Sequence, residues 1–137
     1  MISQITRIRI RYCETDKMGF VHHSNYPRFL EEGRMELFRK IGLNYNKIEE
    51  SGVILPVVSM NFKFKIPIFF DEIISVKTQL IEPINIKLLF HYEIMNQFDK
   101  IACLAQTTLT FADTKTRRPI RPPQAYIQKL TEVSKST

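Results

Sequence analysis

Apolar and cationic residues alternate from Ile5 to Cys13, through Arg7-Ile8, Arg9-Ile10 and Arg11-Tyr12. This alternation predicts a first β-strand with its apolar side chains on one face. Thr15 to Gly19 predicts a turn, with Gly19 supplying the positive φ that other residues resist. The period then lengthens. Tyr26, Phe29, Leu30, Gly33, Leu37 and Ile41 form the inward stripe of a helix, and Glu31, Arg34, Glu36, Arg39 and Lys40 fall on its wetter side. Ser24 or Asn25 can cap this helix, Pro27 fits its first turn, and Gly42 stops it. Gly33 in its middle costs about 1 kcal/mol against alanine, a loss that close packing on a sheet would offset.

Asn44 to Ser51 predicts a second, short helix ended by Gly52. Four runs with strand character follow: Val53 to Lys65, Glu72 to Ile81, Ile86 to Asn96 and Ile101 to Ala112. The breakers Pro67, Pro83-Ile84-Asn85 and Gln97-Phe98-Asp99 separate them, and such short connections predict an antiparallel meander. Alternation is clear in Ser75 to Leu80 and in Lys87 to Tyr92, as in a sheet with one packed face. The predicted class is α+β, a curved antiparallel sheet of about five strands with one long helix. One domain is expected over residues 1–130, and the polar end, 131–137, is expected to fray.

At 137 residues, 44% hydrophobic and 25% charged, the chain suffices for one modest core. It has no apolar run of the roughly 20 residues that span a bilayer, and Met1 to Arg7 lacks the order of a signal peptide, so a soluble cytoplasmic protein is expected. Cys13 and Cys103 form no C-x-x-C spacing and are read as reduced thiols without chemistry. The net charge of +6 implies an anionic partner. Lys115, Arg117, Arg118 and Arg121 crowd into one short segment, a candidate phosphate-binding rim. No aromatic-basic RNA motif or reading helix accompanies this charge, which argues against nucleic acid.

The chemistry is expected between the first strand and the long helix. Asp16, on the loop leading to that helix, can reach a substrate whose developing negative charge rests on the free amides and positive dipole end of the helix. Glu14 can form a carboxylate pair with it, or balance Arg9 or Arg11 at the strand end. His22 and His23 are far in sequence from the third histidine, His91, and no cysteine or carboxylate completes a ligand spacing, so no metal is expected.

The segment Tyr12-x-Glu14-Thr15-Asp16-x-Met18-Gly19-x-Val21-x-His23-x-Asn25-Tyr26, followed by Phe29-x-Glu31-x-x-Arg34-x-Glu36, resembles the YbgC-like branch of the 4-hydroxybenzoyl-CoA thioesterase family. Pro67 with Asp71-Glu72, and Arg118-Pro119 with Pro122, extend the resemblance over nearly the whole chain. It implies a hot-dog fold, in which the sheet wraps the long helix and two protomers join edge to edge with active sites at their interface. Dimers of this kind often pair into tetramers. It further implies hydrolysis of an acyl-CoA thioester without metal or redox cofactor, with acyl carrier protein as a second possible donor. By position Asp16 corresponds to the family's catalytic aspartate, as nucleophile or general base, and His23 to the backbone N–H that polarises the thioester carbonyl. In that setting Asn25 and Tyr26 are candidates for the pantetheine arm, and Lys63, Lys65, Arg117, Arg118 and Arg121 for the CoA phosphates. His22, where relatives often carry an aromatic residue, and the cationic run Asn61 to Lys65 depart from the pattern and leave the acyl preference open. Two other readings remain in view. A hydratase or dehydratase using His23 and Asp16 would release enoyl or β-hydroxyacyl product. A non-catalytic module would bind acyl thioesters or carrier protein and release no thiol.

Overall fold

The computed structural model describes residues 2–82, 84 and 86–136, with side chains to Ser134. Strand β1 covers Ile2–Arg9, helix α1 Tyr26–Lys40 and helix α2 Tyr45–Glu50. Strands β2 (Val53–Ile54), β3 (Val57–Phe64), β4 (Ile73–Ile81), β5 (Lys87–Met95), β6 (Ile101–Thr110) and β7 (Ala112–Asp113) follow, and helix α3 covers Gln124–Ser136. Five strands form one antiparallel sheet in the order β1-β4-β5-β6-β3, and β2 pairs with β7 in a small second ribbon.

Alternation works as expected in the central strands. Ile74, Val76, Thr78 and Leu80 of β4, and Leu88, Phe90, Tyr92 and Ile94 of β5, turn inward. Against them α1 lays Tyr26, Phe29, Leu30, Leu37 and Phe38, all buried. Gly33 faces β4 so closely that a Cβ there would fall within 3.0 Å of Thr78 Oγ1 and 3.2 Å from Val76 Cγ1. Among the described residues, no helix is long and apolar enough to cross a membrane.

The structure differs from the sequence expectations in several places. The first strand ends at Arg9 instead of Cys13, because Tyr12–Glu14 coils into a 3-10 turn whose Arg11 N–H donates to Glu14 Oε1 (2.7 Å). Ile5 lies on the outer face, and Thr6 points inward in its place. The run from Val53 is broken at Leu55-Pro56, where proline has no N–H for a ladder and its carbonyl instead accepts Thr110 N–H (3.2 Å). Only β4, β5 and β6 form a meander. The chain after β3 crosses the end of the sheet, with Lys65 and Ile66 N–H donating to the Ala102 carbonyl (2.8 and 3.1 Å), so β3 sits at the far edge beside β6. Arg34, assigned to the wet side of α1, is buried and donates to Tyr92 OH (3.1 Å), which in turn shares a hydrogen bond with Thr107 Oγ1 (2.6 Å). Where fraying was expected from Thr131, α3 runs on to Ser136, anchored by the buried Leu130. Of the predicted breakers and tail, Pro83, Asn85 and Thr137 lie outside the described residues.

The two sheet edges are unlike. On β1 the outward residues Arg7 and Arg9 are exposed, and Lys40 Nζ donates to the Ser3 carbonyl (2.9 Å), so α1 covers part of this edge. On β3, Val57, Val58, Met60 and Phe64 are exposed along a strand paired only on its β6 side.

Candidate active site

After β1, the Ile10 N–H donates to the Glu72 carbonyl (2.9 Å), and the chain turns through Tyr12–Glu14 into the Asp16 loop. Asp16 N–H donates to the Phe20 carbonyl, and Gly19 N–H to the Asp16 carbonyl, both at 3.0 Å. Gly19 closes this turn at φ 88°, a conformation that would strain a residue with a side chain. Asp16 Oδ1 accepts the Met18 N–H (2.8 Å). Asp16 Oδ2 accepts no hydrogen bond among the described residues. The turn therefore orients the carboxylate and leaves half of it available.

The segment that crosses from β3 to β4 forms the opposite wall. Val21 N–H donates to the Ile68 carbonyl (2.8 Å), Phe20 bridges to Phe69, and Phe69 N–H donates to Glu72 Oε2 (2.6 Å), which holds the crossing closed. The helix start is a 3-10 turn, His23–Asn25, leading into α1. Asn25 takes the N-cap position of α1, as expected, but its side chain makes no cap bond; the 3-10 turn before it is capped by His22. His22 Nδ1 accepts the Ser24 N–H (3.2 Å), and the Asn25 side chain instead donates to the Glu14 carbonyl (2.8 Å). Among the described residues nothing accepts the His23 N–H. An amide left unpaired at a helix start is the kind of donor that can hold an anionic or carbonyl ligand.

These pieces enclose a pocket of about 340 Å³. Asp16, His22, His23 and Lys65 are its polar lining, and Tyr26, Phe64, Ile66 and Pro67 are prominent in its apolar wall. Larger hollows of about 540 Å³ near Tyr45 and about 750 Å³ between β1 and α1 lack this combination; the second is walled mainly by arginines and glutamates. An apolar wall with a few converging polar groups is the form expected of a small-molecule site. Burial, followed by the fields of Cys103 and Glu72, pushes the Tyr26 phenol up to about 12, so it remains a neutral donor.

Cys103 is also buried, and its thiol is pushed up to about 11. Both groups fold in their neutral forms, with raised values. Their contribution to stability is therefore complete below the ordinary thiol value of 9.0 and is lost as pH rises through about 11 and, for Tyr26, about 12. Urea midpoints should fall steadily from pH 9 upward, and Cys103→Ala should flatten the lower part of that fall.

Several candidates lie elsewhere in the chain. Lys63 is on the outer face of the sheet, in one row with Leu104 and Glu93. Arg117 and Arg118 belong to the turn after β7, where Arg117 N–H donates to the Asp113 carbonyl (2.8 Å) and Asp113 N–H to the Arg118 carbonyl (2.9 Å). The amides of Thr116 and Lys115 hold the Asp113 carboxyl below its usual range. Arg121 lines a separate hollow with Ile84 and Ile86. The length of β6, roughly 30 Å, separates this end of the sheet from the Asp16 pocket. Glu14 does not pair with Asp16; its partners are Arg11 and Arg28, whereas Arg9 bonds Asp71. Phe64 and Ile66 were not anticipated from sequence, because only the crossing of the chain after β3 brings them to the helix start.

Residues 10–130 match the thioesterase-like superfamily. YneP of Bacillus subtilis, to which an acyl-CoA thioesterase activity is ascribed, is 33% identical over 119 residues, covering 87% of this chain and 86% of that one. The acyl-CoA thioester hydrolase YbgC of Escherichia coli is 22% identical over 125 residues, 91% of this chain and 93% of its own. The crystal structure of a DHNA-CoA thioesterase from Staphylococcus aureus superposes with a TM-score of 0.93 at 33% identity, covering 98% of this chain and 93% of that one. The long helix held against a five-stranded antiparallel sheet is thus a hot-dog fold, and the chain belongs to the thioesterase-like superfamily.

Proposed function

We propose that this chain hydrolyses acyl-CoA thioesters to the free acid and CoA at the Asp16 pocket. The observation that carries the reading is one apolar-walled pocket lined both by Asp16, whose Oδ2 accepts no hydrogen bond among the described residues, and by His23, whose amide at the helix start is unpaired among them. The thioester carbonyl accepts the His23 N–H, and the oxyanion that develops is stabilised by that amide and the positive end of the helix. Asp16 either attacks the carbonyl carbon, giving a mixed anhydride that water cleaves, or takes a proton from the attacking water. In both routes the C–S bond breaks and CoA leaves as its thiolate. Tyr26 and Lys65 flank the acyl and pantetheine path. The name of the Staphylococcus aureus neighbour, a DHNA-CoA thioesterase, puts aromatic acyl-CoA first among substrates to test, followed by short and long aliphatic chains and acyl carrier protein. Thiol release measured with a trapping reagent across that panel tests the proposal; no release from any member would refute it. The free thiols of Cys13 and Cys103 fit a reducing cytoplasm.

A second copy is the proposed occupant of the β3 edge. Its exposed Val58, Met60 and Phe64 are apolar, while the opposite edge is arginine-lined and partly covered. Antiparallel pairing of β3 with its copy sets the Val57 end of one subunit beside the Phe64 end of the other. It thereby moves Arg117 and Arg118 toward the neighbouring pocket, where CoA phosphates would lie. The double variant V58E/M60E should run as a monomer in light scattering and lose at least about tenfold in turnover, since like charges opposed across a strand pair repel. An unchanged dimer would remove β3 as the interface.

A further inference from the structure

Glu14 joins the Asp16 loop to the long helix at two levels. Its carboxylate, only 3% exposed as a residue, accepts the Arg11 N–H on Oε1 (2.7 Å) and the Nη2 groups of Arg28 (3.1 Å) and Arg11 (3.4 Å) on Oε2. Its carbonyl accepts the His22 N–H (3.0 Å) and Asn25 Nδ2 (2.8 Å). Arg28 Nη2 also donates to Asn25 Oδ1 (2.8 Å), so Glu14, Asn25 and Arg28 close a ring of hydrogen bonds. Asp16 follows Glu14 by two residues, and His23 follows His22 directly. The ring therefore spans the two short stretches that carry the carboxylate and the open amide.

We infer that Glu14, Asn25 and Arg28 are positioning residues that hold the Asp16 carboxylate in register with the His23 amide; this rests on the thioesterase reading above. None of the three is counted in the lining of the pocket, so each acts through the loop and the helix start. A buried carboxylate needs its donors, and here one donor comes from the first turn of α1. Loss of that donor lets the loop and the helix move apart. Misplacement by about 1 Å can cost about 100-fold in rate without changing what the pocket binds.

Arg28 is half-exposed, so Arg28→Gln should fold normally, and it serves alongside Glu14→Gln. Each should lower kcat by about tenfold to 100-fold with KM within about twofold. The double variant should be no slower than the slower single one, because both changes open the same ring. Arg28→Lys should recover part of the loss. Hydrogen exchange at the amides of His22 and Asn25 should quicken by at least about tenfold in Arg28→Gln, with β4 and β5 unchanged. Unaltered exchange at those amides, wild-type kcat in both single variants, or losses that multiply in the double variant would each overturn the inference. If the wild-type chain releases thiol from no acyl-CoA, the thioesterase reading falls, and the exchange measurement alone decides whether the ring holds the loop.

Discussion

Replacing Asp16 with asparagine should lower acyl-CoA turnover by about 10³-fold or more, while the fold and the assembly stay as they are. The substitution is nearly isosteric, and an amide oxygen can still accept the Met18 N–H that shapes the turn. On the proposed mechanism, what it removes is the carboxylate oxygen that attacks or takes a proton. The His23 amide and the apolar wall are untouched, so substrate should still bind with an affinity within a few-fold of the original. Single-turnover thiol release, read beside size-exclusion and thermal midpoints, checks the result. Turnover within about threefold of wild type would remove Asp16 from the reaction. Rapid quenching followed by peptide mass measurement separates the two routes, since only direct attack leaves the acyl group on Asp16.

Gly33→Ala should destabilise the fold by about 1 kcal/mol and at most about 2 kcal/mol, against the direction of helix propensity. Alanine gains about 1 kcal/mol in a helix interior. Here its Cβ would come within 3.0 Å of Thr78 Oγ1. Thr78 lies fully buried on a central strand, and its hydroxyl has no hydrogen-bond partner among the described residues. Neither the strand nor the helix can retreat without unpacking Val76 and Leu30, and overpacking of this kind typically costs about 1–3 kcal/mol. Removing the obstacle should reverse much of the loss, so the pair Gly33→Ala with Thr78→Ala should be more stable than Gly33→Ala alone. Urea unfolding of Gly33→Ala, Thr78→Ala and the pair measures this coupling. A Gly33→Ala protein as stable as wild type would contradict so tight an approach.

The site was legible where its determinants are local. The Gly19 turn, the switch from alternation to a three-and-four period, and an acid placed between them are all encoded within about twenty residues. Alternation in β4 and β5 was equally plain, because each strand buries one face. What escaped was decided by partners distant in sequence. The placement of β3 beside β6 depends on a crossing whose amides bond Ala102, and no local pattern states that choice. Arg34 reads as a wet-side charge until Tyr92, itself bonded to Thr107, supplies a neutral acceptor from the sheet. Lys65 and the C-terminal arginines are all candidates for the CoA phosphates by sequence, yet within one chain they stand at opposite ends of β6. Helix α3 was missed because its polar composition resembles a loose tail, whereas Leu130 and the Ser51–Tyr126 hydroxyl contact dock it.

The unequal edges of the sheet limit how far such molecules can polymerise. Under the β3 pairing proposed above, every subunit offers one adhesive flank, and the other is partly covered by Lys40 on the Ser3 carbonyl and lined by arginines. Under that pairing, strand-to-strand growth terminates after its first step. Crowding or overproduction should then yield discrete particles instead of fibrils, because the cationic, partly covered β1 edge disfavours a further strand.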